Sequence, residues 1–313
     1  YIGSTSERGL HHLVYEIVDN SIDEAMAGRC NEIEVTLLSD GSVSVQDDGH
    51  GIPSGIHPKM GIPTLEVVYT VLHAGGKFGG GGYKVAGGLH GVGASVVNAL
   101  SEYLEVVVRN GEHIYRQRYE RGKTATNLDI IGDTTETGTI VTFKPDPTIF
   151  TDTTTYDYDI LLTRLREQAF LNAGVRIVLT DKRTGGFPQR TDEFHYEGGI
   201  KSYVEFLLEG TKGESLNKEV IYFNTSASDD SSSVEVAMQY NDSYNDLILS
   251  FANNIHTTDG GTHETGFKSG ITKAFNDYAK ENNVLKGKDA NFEGSDVREG
   301  LSAVINLKIP ENL

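Results

Sequence analysis

The run Glu16-Ile17-Val18-Asp19-Asn20-Ser21-Ile22-Asp23-Glu24-Ala25 decides how this chain is read. It belongs to a stretch, residues 8–27, whose Leu10, Leu13, Val14 and Ile17 recur at the helical period and make an apolar stripe. Ser4 and Glu7 have the spacing of a capping box, and Gly28 stands where a C-terminal cap belongs. The opposite face is unusual. His12, Glu16, Asp19, Asn20 and Asp23 fall within about 100° of one another on a helical wheel. A solvated face ordinarily mixes Lys with Glu, and this one has no basic partner. Acids crowded with an amide and a histidine repel unless a cation or a metal-bound phosphate sits among them.

Downstream, residues 32–38 and 42–47 alternate around Ser39-Asp40-Gly41 and predict a hairpin. Its second strand ends in Val45-Gln46-Asp47-Asp48-Gly49-His50-Gly51-Ile52-Pro53. Alone, Asp-Gly is a turn signal. Here Asp47 sits at a strand end, placed to accept a hydrogen bond from a buried ligand amine, and the glycines allow close approach to the backbone. A third signal is glycine. The chain holds 36, well above the ~7% average. Residues 75–93 hold ten of them and run through Gly88-Leu89-His90-Gly91-Val92-Gly93 into a predicted helix, 92–101. Glycine backbone at a helix start offers N–H groups to an anion, and Lys77 and Lys84 flank the loop. Neither a P-loop nor a dinucleotide fingerprint fits, because no Gly-x-x-x-x-Gly-Lys-Ser/Thr occurs and Val96 occupies the third glycine position. Thr137-Gly138-Thr139, entering a strand, is a weaker fourth signal.

Composition sets the limits. The chain has 313 residues, 27 Lys plus Arg against 45 Asp plus Glu, and a net charge of −18. That is ordinary globular composition of about two domains, too acidic to coat DNA by bulk charge. No apolar run approaches the ~20 residues of a membrane span, no leader is visible, and the lone Cys30 suits a reducing cytoplasm.

The remaining pattern predicts helices at 64–73, 156–172, 198–208 and 263–281. Strands are expected near 104–109, 113–120, 138–143, 175–181, 219–225, 233–240, 246–253 and 301–308. Residues 183–194 read as a polar turn-rich stretch and 226–233 as a solvated loop. Strands and helices are segregated in both halves, which gives an α+β protein of two domains, 1–195 and 196–313.

The order of these signals resembles the GHKL ATPases. The longer runs Thr70-Val71-Leu72-His73-Ala74-Gly75-Gly76-Lys77-Phe78 and Tyr83 to Ser101 resemble, within that group, the ATPase subunit of bacterial type IIA topoisomerases. Asp259-Gly260-Gly261-Thr262-His263 and Arg298-Glu299-Gly300-Leu301 resemble its transducer domain. The resemblance covers essentially the whole chain, and Ala94 tilts it toward the supercoiling branch over the decatenating one. It implies a Bergerat-type ATP-binding sandwich followed by an α+β transducer. It implies Glu16 as the general base, aligned by His12, and Asn20 as the Mg²⁺ ligand, with Asp23 and Glu24 beside them. Asp47 would accept from the adenine amino group, with Gly51 and Thr139 sharing a water. Val45, Ile52 and Pro53 would line the base. Gly88, Leu89, His90, Gly91, Val92, Gly93 and Lys77 would hold phosphates, and Tyr83 would reach in from the lid. His50 stands where many members carry an arginine paired with the acid at Glu24. Arg109 would shield the pocket mouth, with Asn110 an equal candidate. The implied partners are a breakage-reunion subunit, duplex DNA through the complex, a second copy in the ATP state, and aminocoumarin-type inhibitors. The family's exchanging N-terminal arm and its Gln-Thr-Lys loop would fall outside this stretch, so a fragment is expected. A histidine kinase of the same group would lack the second domain, and a non-hydrolysing module would not need Glu16.

Overall fold

α1 (Glu7–Met26) buries Leu10, Leu13, Val14, Ile17, Val18 and Ile22, the stripe read from its period. Its start differs from the expected capping box. The N-cap is Ser6, whose side chain caps nothing, and the Ser4 hydroxyl donates to Ser6 Oγ at 2.7 Å instead. Its end follows the Schellman pattern. Gly28, at φ +72°, donates to Ala25 O at 2.9 Å, and Arg29 donates to Glu24 O at 3.0 Å.

The structure is a computed structural model and describes residues 2–72, 92–210, 213–227 and 232–310. The chain divides into two compact units, Tyr1–Tyr196 and Glu197–Leu313.

In the first unit the hairpin forms as β1 (Glu32–Leu37) and β2 (Val43–Asp47), antiparallel with Ile33 opposite Asp47. Then come α2 (Thr64–Thr70), α3 (Gly93–Ala99), β3 (Ser101–Asn110), β4 (His113–Glu120), β5 (Lys123–Thr124) and β6 (Asp129–Asp133). The unit closes with β7 (Thr137–Pro145), α4 (Tyr158–Leu171), β8 (Arg176–Asp181) and β9 (Arg190–His195). The strands make one mixed sheet in the order β5-β4-β3-β7-β2-β1-β8-β9, with β6 on β4 and only β1–β8 parallel. Alternate residues Ile33, Val35, Leu37, Val43, Val45, Val106, Val108, Val141 and Phe143 are buried in one core with α1 and with Leu161 and Leu165 of α4. The helices therefore cover one face, and the strands keep the two-residue period of a half-buried sheet. A buried histidine pins α1 to α4. The backbone N–H of Asp157, the N-cap of α4, donates to His11 Nε2 at 2.8 Å. A backbone N–H only donates, so the proton sits on Nδ1 and goes to Glu7 O at 2.8 Å.

The second unit holds α5 (Ile200–Glu209), β10 (Ile221–Ser226), β11 (Ser233–Tyr240), β12 (Leu247–Ala252), β13 (Ile255–His256), α6 (Thr262–Glu281), α7 (Gly294–Arg298) and β14 (Leu301–Lys308). Its sheet runs β10-β11-β14-β12-β13. β14 is central and buried from Leu301 to Asn306, with Leu301 and Ala303 packed on Ile271 of α6 and Val297 of α7. The glycines of the two downstream motifs make tight turns. Gly260 has φ +75°, and Gly300 has φ +71°, with no room for a Cβ against Asn241 O.

Four strands and one helix depart from the sequence reading: β5, β6, β9, β13 and α7. β9 falls in the stretch read as turns because Arg190-Thr-Asp-Glu-Phe-His195 is a charged edge strand, and charge on an edge hides the apolar alternation. α2 and α3 each end earlier than expected, at Thr70 and Ala99.

Candidate functional site

Asp47 is the C-terminal residue of β2 and is buried at 8% exposure. Three groups donate to its carboxylate. The Ser21 hydroxyl reaches Oδ2 at 2.7 Å, while the Gly49 and Thr139 backbone N–H groups reach Oδ1 at 3.0 and 3.2 Å. Burial raises the Asp47 pKa from its ordinary value, and these three hydrogen bonds oppose the rise. The strand register explains one of them, since Asp47 pairs with Thr139 across β2 and β7. Two glycines let the backbone close around it. Gly138 (φ +141°) leaves no room for a Cβ against Asp47 O, and Gly51 (φ +78°) would place one 2.9 Å from Arg109 O. A Cβ at Gly49 would lie 3.1 Å from Asp47 Oδ1. Val45 lies wholly in the core, while Ile52 packs half-buried against it. Pro53 is exposed.

The polar face of α1 borders this pocket but is not uniformly solvated. Asn20 is exposed, His12, Glu16, Asp19 and Glu24 are half-buried, and Asp23 is buried. Burial, with Asp23 and Glu16 nearby and Arg164 opposing, pushes the Asp19 carboxyl up to about 7. The Gln168 amide donates to Asp19 at 3.3 Å. The His12 pKa is lowered by burial and then by positive neighbours, Arg8 and Arg164 among them, and its ring meets Tyr15 edge-on at 5.3 Å. Glu16 lies against Gly93, the first residue of α3, closely enough that a Cβ there would collide with Oε2.

At the pocket mouth Glu24 faces both His50 and Arg29. His50 is exposed. Arg29 approaches Glu24, Nε to Oε2 at 3.5 Å. Burial raises the Glu24 pKa and Asp47 adds to the rise, while Arg29 and His50, through both its backbone and its ring, oppose it. Across the mouth, Arg109 pairs with Glu136 at 2.7 Å beside Gly138. Asn110, the other candidate, accepts from Glu112 and His113 N–H in the β3–β4 turn. Lys77, Tyr83, Gly88, Leu89, His90 and Gly91 lie outside the described residues; Val92 is the N-cap of α3.

Sequence reasoning misses Ser21 and the wall-forming roles of Gly49 and Gly138. Ser21 lies within the decisive run, and a hydroxyl one residue past the amide, on the turn facing the hairpin, is the available signal.

Residues 5–149 match the family of histidine kinase-, DNA gyrase B- and HSP90-like ATPases, and residues 199–313 match the DNA gyrase B family. The 43K ATPase domain of Thermus thermophilus gyrase B, solved in complex with an aminocoumarin, superposes with a TM-score of 0.85 at 40% identity. The match covers 99% of this chain and 78% of that one. The chain belongs to the gyrase B family of ATPases. Other members are similar throughout. DNA gyrase B of Halalkalibacterium halodurans is 58% identical over 99% of this chain and 48% of its own length. The B-type subunit of DNA topoisomerase 4 from Staphylococcus aureus is 54% identical over 100% of this chain and 46% of its own. The chain thus spans about half the length of these full-length members of the family. Among the described residues, no helix is long and apolar enough to cross a membrane.

Proposed function

We propose that this chain is the ATP-operated clamp of a gyrase-type type IIA topoisomerase, in which ATP binding draws two copies together and hydrolysis resets them. The observation that carries the reading is Asp47. A buried carboxylate with three donors satisfied keeps one acceptor position for a ligand amine, which suits the exocyclic amino group of adenine. Gly51 and Thr139 flank it, and Ile52 and Pro53 give the base an apolar side. Arg109 and His50 border the mouth.

Glu16 is the general base. It takes the proton from a water whose oxygen attacks the γ-phosphorus, as the bond from phosphorus to the β–γ bridging oxygen breaks and ADP leaves. His12, whose pKa burial lowers, orients Glu16. Mg²⁺ suits the donor set. Asn20 offers an exposed amide oxygen one turn from the Glu16 carboxylate, and a small hard cation takes few protein oxygens and completes its shell with phosphates and water. Asn20 would hold it, with Asp23 and Glu24 adding negative potential, and the metal supplies charge neutralisation at the phosphates. Gly88, Leu89, His90, Gly91, Val92, Gly93 and Lys77 would hold the phosphates, and Tyr83 would close over them.

The full protein would work with a gyrase A-type breakage-reunion subunit and duplex DNA in the cytoplasm, and aminocoumarins would compete at the ATP site. Lys268 and Lys273 on α6 are both engaged by acids one turn away, Glu264 and Asp277, which supports weak DNA binding by this segment alone. The test is the full-length subunit with its partner, assayed for ATP-dependent supercoiling and decatenation. Supercoiling supports the reading. Decatenation alone moves the protein to the topoisomerase IV type, which the 54%-identical Staphylococcus aureus subunit represents. ATP-independent behaviour removes the clamp.

A further inference from the structure

We propose that Ser21 is a positioning residue for nucleobase selection, acting through Asp47. The inference rests on the reading of this pocket as an adenine site. Ser21 lies in the interior of α1, where a serine hydroxyl usually bonds back to the carbonyl one turn earlier. Here it is buried at 3% exposure and crosses to β2, donating to Asp47 Oδ2 at 2.7 Å. A carboxylate has about four acceptor positions. The Gly49 and Thr139 N–H groups occupy those of Oδ1, and Ser21 occupies one of Oδ2. The position that remains is on Oδ2, and the Ser21 hydrogen bond fixes where it points.

The hydroxyl also sets polarity. Its single hydrogen is committed to Asp47, so the Ser21 oxygen shows a ligand only lone pairs. Two oxygens 2.7 Å apart, both acceptors, meet the incoming base. An exocyclic amine satisfies such a pair. A carbonyl oxygen in the same place, as guanine carries, is repelled and leaves buried acceptors unpaired. Without the hydroxyl, Asp47 is free to rotate or to take up a proton and become a donor itself.

The second consequence is in pH. Asp47 must be ionised to accept, so binding fades as pH falls through its pKa. The Ser21 bond favours the charged form, and burial opposes it. Other charged or titratable groups act on the same carboxylate: Glu24 from α1, Cys30 and Asp48 from the ends of the hairpin, and Tyr69 from α2. None of these changes in a Ser21→Ala protein, so the difference from wild type isolates the hydroxyl.

The experiment is calorimetric titration of the protein with ATP and with GTP from pH 5 to pH 9, for wild type, Ser21→Ala and Ser21→Thr. Ser21→Ala is expected to bind ATP about tenfold more weakly, as befits loss of one hydrogen bond to a charged group. Its preference for ATP over GTP should narrow, and its acid limb should move to higher pH. Ser21→Thr, which keeps the hydroxyl, should restore all three. A Ser21→Ala protein with wild-type affinity, preference and acid limb overturns the proposal while leaving the pocket an adenine site. A wild-type protein that binds no ATP at any pH overturns the adenine reading itself, and this proposal with it. Should Ser21→Ala fail to fold, Ser21→Cys, a weaker donor, carries the same comparison.

Discussion

Gly93 and Glu16 meet across two helices: the first residue of α3 presents its bare Cα to the Glu16 carboxylate, and any Cβ there would overlap Oε2. The base proposed for water activation is therefore held in place by an absence of side chain. Gly93→Ala should push the carboxylate aside without unfolding α3, since alanine is the better helix former. Displacing a catalytic group by about 1 Å costs turnover on the order of 10²-fold. Steady-state ATP hydrolysis, measured beside ATP affinity, checks it. Turnover near wild type would mean that Glu16 adapts freely or is not the base.

Glu16→Gln tests the same group chemically. The amide fits the space but takes no proton, so turnover should fall about 10²- to 10⁴-fold. Nucleotide affinity should stay within about threefold, because the base acts on water rather than on ATP. A variant that still turns over at the wild-type rate would move the base to another side chain.

Asp47→Asn should do the reverse. An amide accepts less strongly, and its NH₂ faces the ligand amine or one of the three donors that now satisfy Asp47. Loss of a hydrogen bond to a charged group costs ~1.5–3 kcal/mol, or about 10- to 150-fold in ATP affinity. Equilibrium binding of ATP reads this directly, and unchanged affinity would remove Asp47 from base recognition.

Much of this is legible in the sequence, for physical reasons that differ by element. α1 and the β1–β2 hairpin show through because each buries one face, so period and alternation are printed in residue type. The place of Asp47 is legible because the alternation of β2 runs up to it and the glycines that follow end the strand. Ser21 is less so, because its hydroxyl beside the amide gains a meaning only once Asp47 is placed against it. The Glu24–Arg29 proximity is hidden for a related reason. Arg29 sits just past the Schellman turn, and only the positive φ of Gly28 brings it back toward Glu24. β9 and β6 are invisible because an edge or exposed strand has no buried face to pattern it.

Asp19 gives a pH dependence with a definite sign. Its folded pKa, pushed up to about 7 by burial and by Asp23 and Glu16, lies above the unfolded value of ~3.9. Between those limits the folded state holds a proton that the unfolded state has released. Stability from this group is therefore full below pH ~4 and is lost as pH rises toward 7. Asp19→Asn removes the charge and keeps an acceptor for Gln168. It should gain stability over wild type at pH 8 and distinctly less at pH 4.5. Urea denaturation at the two pH values checks it; an equal shift at both would assign the effect to packing rather than ionisation.

Two glycines with positive φ separate backbone strain from close approach. Gly28, at φ +72°, closes the Schellman turn of α1 and has open space where a Cβ would go. Gly28→Ala should cost only the left-handed conformation, about 1 kcal/mol. Gly138, at φ +141°, carries the same kind of strain, and its Cβ would also overlap the Asp47 carbonyl oxygen. Relief would require β7 to draw away from β2, which breaks the Thr139 N–H bond to Asp47 and opens the pocket wall. Gly138→Ala should therefore cost about 3 kcal/mol or more, and unlike Gly28→Ala it should also weaken ATP binding. Denaturation midpoints and ATP affinity for both variants decide the matter. If Gly138→Ala loses stability but binds ATP as wild type does, the Gly138–Asp47 contact holds the sheet together and has no part in shaping the pocket.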